Sequence, residues 1–214
     1  MKKFLFVAAL IVFAQSTMAQ ENEKYIAAMQ KNLIALQLAS KEPASLLALA
    51  NNFERIADAE KTQWLPYYYA AFCQVTYGFR ETDKSKTDMI ADKATDFINK
   101  ANALSPKNSE ISCIKSMIAS CHMMVDPMTR YMQYSAESSE ELEAAKQQDP
   151  TNPRPDFLIG QGLKYTPEQF GGGCGTAKPL ITASLTKFEN FKLASPLHPN
   201  WGKEMATQIM NECK

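Results

Sequence analysis

Apolar residues recur along this chain at three- and four-residue steps. Ile90, Ala94, Phe97, Ile98, Ala101 and Leu104 fall on one helical stripe, while Asp92, Lys93, Asp96, Asn99 and Lys100 face away from it. A helix with a single apolar stripe must pack on a neighbour. The same step runs through Leu46, Leu49, Phe53 and Ile56, and through Leu180, Ser184, Leu185, Phe188 and Phe191. Shorter and more apolar segments lie between, from Gln63 to Phe79, Ser109 to Val125 and Arg154 to Tyr165, and these predict the partner helices. With an opening helix from Asn22 to Ala39 and a short last one from Lys203 to Cys213, the pattern predicts four helical hairpins and a terminal helix. No alternating run of useful length is present, so the fold class expected is all-α.

The turns repeat as well as the stripes. Leu104-Ser105-Pro106-Lys107-Asn108 recurs as Gln148-Asp149-Pro150-Thr151-Asn152, a shift of 44 residues. The same shift lays Ile98 on Leu142, Ala101 on Ala145 and Ser116 on Gly160. Each turn closes one amphipathic helix and opens another.

Small and large residues alternate here in a manner that resembles the tetratricopeptide (TPR) family. The second helix of such a repeat carries a small residue, a large one four later, a small one three after that and a proline five further on. Ala94, Ile98, Ala101 and Pro106 follow that spacing, as do Ser138, Leu142, Ala145 and Pro150, with a looser copy at Ser184, Phe188, Phe191 and Pro196. Ile159-Gly160 matches the large-small pair of the first helix, whereas Ala70-Ala71 and Lys115-Ser116 keep only its small member. Small residues let helix backbones approach, large ones fill the gap, and proline stops the helix. The resemblance covers roughly residues 45 to 200 and departs from the family in its longer repeat and in a first hairpin without terminal proline. It implies a divergent α–α superhelix, a binding scaffold rather than an enzyme.

The first residues read as an address. Lys2 and Lys3 precede an apolar run from Phe4 to Ala14, and Ser16-Thr17-Met18-Ala19 offers a cleavage site, so residues 1–19 are expected to be a secretory signal and 20–214 a single TPR-like domain. The run is too short to span a bilayer, and no cysteine follows it to accept a lipid. A periplasmic or secreted chain with no membrane span after signal removal is the expectation. Removing Lys2 and Lys3 leaves 21 basic against 23 acidic residues. Such a balance provides no basic surplus for a phosphate backbone, so nucleic acid is not an expected partner.

Four features could carry chemistry. Phe170-Gly171-Gly172-Gly173-Cys174-Gly175 suggests a phosphate loop but lacks the Gly-Lys-Ser/Thr ending, and Thr166-Pro167-Glu168-Gln169 before it has the form of a capped helix start, so a turn is expected. Met117, Cys121, His122, Met123, Met124, Met128 and Met132 form a soft-ligand run. Cys121, His122, Met124 and Met128 therefore define an alternative, copper-binding reading, against methionine as ordinary core filler. Two histidines, His122 and His198, stand without a nucleophile motif, so no catalytic assembly and no cofactor is expected. Trp64-Leu65-Pro66-Tyr67-Tyr68-Tyr69 is the fourth feature. Three consecutive tyrosines sweep about 200° of a helix and cannot all face one core. Trp64, Tyr67, Tyr69 and the nearby Arg154 are thus the candidate partner-binding residues, placed on a concave face that would take a peptide, protein or glycan.

Five cysteines in an exported chain invite pairing. Cys113 and Cys121 are eight residues apart on one helix, about 12 Å at 1.5 Å per residue, and cannot join. Cys73, Cys113 and Cys121 sit among apolar helical neighbours as ordinary buried thiols. A Cys174–Cys213 disulfide is expected to hold the last helix down.

Overall fold

A computed structural model describes residues 23–39 and 42–213; the expected signal at 1–19 lies outside the described residues. The described residues form helices and connecting turns with no strand. In chain order they are α1 (23–38), α2 (Pro43–Glu60), α3 (Trp64–Gly78), α4 (Lys84–Leu104), α5 (Ser109–Met123), α6 (Pro127–Gln148), α7 (Arg154–Tyr165), α8 (Cys174–Asn190) and α9 (Lys203–Glu212). Hairpins α3/α4, α5/α6 and α7/α8 pack internally and then on one another. Helices α3, α5 and α7 touch in sequence along one face, the inner face of the array. None of these helices is long and apolar enough to cross a membrane.

Local chemistry explains the boundaries. The Asp83 carboxylate accepts the Ser85 N–H at 3.1 Å and starts α4, and Asp126 with Pro127 behind it starts α6. Under the 44-residue shift Asn108 and Asn152 do the same job. Asn108 Oδ1 accepts the Glu110 N–H at 3.0 Å, and Asn152 Oδ1 accepts the Arg154 N–H at 2.9 Å.

The expected crossings sit at small residues. The Ser116 and Ser138 hydroxyls meet at 2.7 Å between α5 and α6. A Cβ on Gly160 would stand 2.7 Å from Ile181 Cδ1, so α7 and α8 approach as closely as side chains allow. Ala94, Ile98, Ala101, Leu142 and Ala145 are all buried, as their shared register demands.

Two apolar cores result. The larger joins α1 to α5 through Met29, Phe53, Tyr68, Phe97, Ile111 and others, and the smaller joins α7, α8 and α9 through Phe157, Ile181, Ala206 and Ile209. Trp201, in the segment between α8 and α9, packs against both. Helix α6 contributes to neither core, and no residue of it before Leu142 is fully buried. Its last turns meet the start of α7, where Lys146 reaches Asp156 at 3.2 Å.

The disulfide forms as expected: Cys174 at the start of α8 joins Cys213 just past α9, with Cα atoms 5.2 Å apart. Cys73, Cys113 and Cys121 are free and buried. Two details differ from expectation. Helix α8 stops at Asn190, so residues 191–202 form an irregular segment rather than the end of a repeat helix. Thr166 does not cap a new helix; its hydroxyl turns back to the Gly162 carbonyl at 2.9 Å. The chain then makes one 3₁₀ turn, Glu168–Phe170, and reaches Gly173, whose φ of 90° and crowded Cβ position against Glu168 admit only glycine.

Candidate binding site

Most of the aromatic run at the start of α3 is closed to solvent. Tyr68 and Tyr69 are buried, and Trp64 and Tyr67 are partly buried. Residues 191–202 lie over Trp64, Tyr68 and Tyr69. Tyr69 donates its hydroxyl hydrogen to the Leu197 carbonyl at 2.8 Å, and the Trp201 indole N–H donates to the Tyr68 hydroxyl at 2.8 Å. Trp64 meets Tyr68 edge-on at 5.5 Å and His198 at 6.2 Å. The chain's own segment therefore covers the part of the inner face expected to take a partner.

Arg154 departs furthest from expectation. It is fully buried, not a polar contact for a ligand. Its guanidinium donates to Glu110 Oε1 at 2.7 Å and to the Pro199 carbonyl at 2.5 Å, and it lies over the rings of Trp201, Phe191 and Phe188. Glu110 also accepts from Asn152 at 2.9 Å and from the Tyr68 hydroxyl at 3.3 Å. Burial pushes the Glu110 carboxyl above its usual range, with Arg154 and these hydrogen bonds pulling it back. Glu110 and Arg154 are 44 residues apart, equivalent positions of consecutive repeats. The repeat thus ties itself together through one ion pair. Trp64, Tyr69 and Arg154 do gather at one end of the array, but as a brace; Tyr67 stands apart from it, partly exposed and beneath Lys100 of α4.

The soft-ligand run is not gathered either. Cys121 is buried in the larger core, where burial raises its thiol to about 11, while Met128 is 92% exposed. His122 is already engaged: its Nδ1 lies 2.8 Å from Asp88 Oδ1, and its ring stacks on Tyr134 at 5.2 Å. Arg130 grips the same carboxylate with two hydrogen bonds of 2.6 and 2.9 Å and holds it below the usual carboxylate range. Among the described residues no group of three or more His, Cys, Asp or Glu side chains could hold a metal ion. The copper reading loses its geometry because one ligand is core and another faces water.

Large apolar side chains face water here. Met128 and Met132, one turn apart on α6, are 92% and 81% exposed, and Tyr131 beside them is exposed as well. Asp88 joins the starts of α4 and α6 and the end of α5, which puts this surface at the array's opposite end from Arg154. Exposed Met89 follows Asp88 there. Helix α7 runs back from its shared turn with α6 in the direction of this end, and Tyr165 at its close and Phe170 just beyond are 68% and 72% exposed. Their loop is pinned, with the Gly173 N–H on the Leu163 carbonyl at 2.8 Å and the disulfide directly behind. Large side chains held out on an ordered loop contribute nothing to either core and are a surface available for contact.

Two other clefts are shallow. One of about 300 Å³ lies between Pro150, Thr186 and Phe191, and one of about 170 Å³ between Ile98, Lys115 and Glu137. The first only reaches the small end of the range for small-molecule pockets.

Fold and surface together define an all-helical hairpin array, locked at one end by a buried ion pair and carrying exposed apolar side chains at the other. No family model matches the chain, and no curated protein matches it. A solved structure does: the HusA haemophore from Porphyromonas gingivalis superposes with a TM-score of 0.79 at 36% identity, covering 89% of this chain and 92% of that one. The chain belongs to the family of that haemophore.

Proposed function

We propose that this protein is an exported, non-catalytic carrier whose apolar end holds a flat tetrapyrrole of the haem class. Its relation to a haemophore at 36% identity carries the reading. The exposed surface supplies the matching chemistry. A tetrapyrrole is a broad apolar disc, and covering its faces with Met128, Tyr131, Met132, Tyr165 and Phe170 gains about 25 cal/mol for each Å² removed from water. Aromatic rings add stacking contacts to that area. Thioether and phenol groups, both able to ligate haem iron, are exposed together on α6 in Met128, Tyr131 and Met132. An open face instead of a closed pocket favours a cargo that must be handed on. The hairpins, with small residues at their crossings, are read as a divergent TPR-like array over 20–214, and 1–19 as the signal that sends it to the periplasm or beyond.

Titration of haemin into the mature chain, followed in the Soret band, tests this. A saturable spectral shift that also forms with the metal-free porphyrin is expected, since apolar contact provides most of the binding. No shift at micromolar protein would defeat the proposal.

A further inference from the structure

Segment 191–202 crosses the inner face without regular secondary structure, held by the buried Leu197 and partly buried Trp201 side chains and by three side-chain hydrogen bonds. Leu197 and Pro199 give their carbonyls to Tyr69 and Arg154, and Trp201 gives its indole N–H to Tyr68. His198 sits among these anchors. Its ring lies 6.2 Å from Trp64 on α3 and 6.3 Å from Phe191, close enough to Arg154 on α7 to feel its charge. Its Nδ1 is buried and has no hydrogen-bond partner, and neither has Arg154 Nε beside it. Asp149, in the turn before α7, is the acidic group acting on it, while Glu110 on α5 is spent on Arg154, Asn152 and Tyr68. A proton on this imidazole would place a second cation near a buried guanidinium and leave a charged N–H without an acceptor.

We propose that residues 191–202 form an acid-released strap: protonation of His198 beside Arg154 loosens the segment from α3, α5 and α7 and uncovers Tyr69 and Trp201. Burial first, and the Arg154 cation second, hold the His198 pKa below its ordinary 6.5, against a weaker upward pull from Asp149. The closed strap therefore binds fewer protons than the open one. Closure is complete above 6.5 and weakens as pH falls below it. Both ends of the region stay tethered, since the strap lies inside the loop closed by Cys174–Cys213, so release is a local lift. The strap opens or stays closed whether or not the apolar end carries haem.

Of the chain's two tryptophans, Trp64 borders the strap and Trp201 lies in it, so both report on it directly. Intrinsic emission of the oxidised mature chain is followed from pH 8 to pH 4 alongside far-ultraviolet circular dichroism. Emission should move reversibly to longer wavelength with a midpoint below 6.5 while the helical signal persists. His198→Phe should flatten this transition, and His198→Gln should do the same as a second, polar variant where the first folds poorly. An unchanged transition in a folded variant would overturn the proposal, as would wild-type emission that holds until helix is lost.

Discussion

At one end of the array, Tyr68, Glu110, Asn152, Arg154 and the Pro199 carbonyl join α3, α5, α7 and the strap through hydrogen bonds that are almost wholly buried. At the other end, Met128, Tyr131, Met132, Tyr165 and Phe170 face water and hold nothing together. The contrast runs against composition, since charge is inside and sulfur and aromatic rings are outside. It makes sense if the first end has the task of keeping the hairpins in register and the second is kept free for contact. A buried pair with every oxygen satisfied specifies one arrangement of three helices, whereas exposed apolar groups invite a partner.

Breaking the tied end should have the largest effect. Arg154→Met leaves Glu110 buried without its cation, and removal of one member of such a pair costs about 3–5 kcal/mol. Thermal melting should show that loss; a variant melting within a degree of wild type would mean that water reaches Glu110. Next comes the disulfide. Cys174→Ser with Cys213→Ser should lower stability by up to roughly 4 kcal/mol in the chain-entropy model, read as a drop in denaturant midpoint. Gly160→Leu should cost about 1–3 kcal/mol by forcing α7 away from Ile181. Unaltered melting there would put the α7/α8 crossing elsewhere. The smallest effect on stability is expected at the apolar end. Met128→Ser, Tyr131→Ser and Met132→Ser should each change stability by no more than about 0.5 kcal/mol, while together they weaken haemin binding.

The repeat register was legible in the sequence, because its parts are written twice, although the Glu110–Arg154 pair was not. The Pro-x-Asn turns and the Ile98/Leu142 and Ala101/Ala145 positions repeat at one spacing, and the register they set is the register found. Cys174–Cys213 followed from compartment and elimination. The strap was hidden, since Phe188 and Phe191 continue a helical period that the backbone abandons at Asn190. Periodicity reports what a segment could do on a helix, not what another segment will lay over it. For the same reason Tyr69 and Arg154 were expected at a surface: their types are right for binding, and only tertiary contact shows them covered. Met128, Tyr131 and Met132 had a signal of their own, an apolar i, i+3, i+4 set in a helix whose core stripe begins only at Leu142. Methionine's usual place in cores masked it.

Hydrogen exchange of the mature chain with and without haemin tests the central contrast most directly. The account predicts new protection in the first turns of α6 and in the 165–173 loop, with no added protection at residues 195–201 at neutral pH. Protection concentrated on the strap and the start of α3, with α6 unchanged, would contradict it and return the binding face to the inner side of the array.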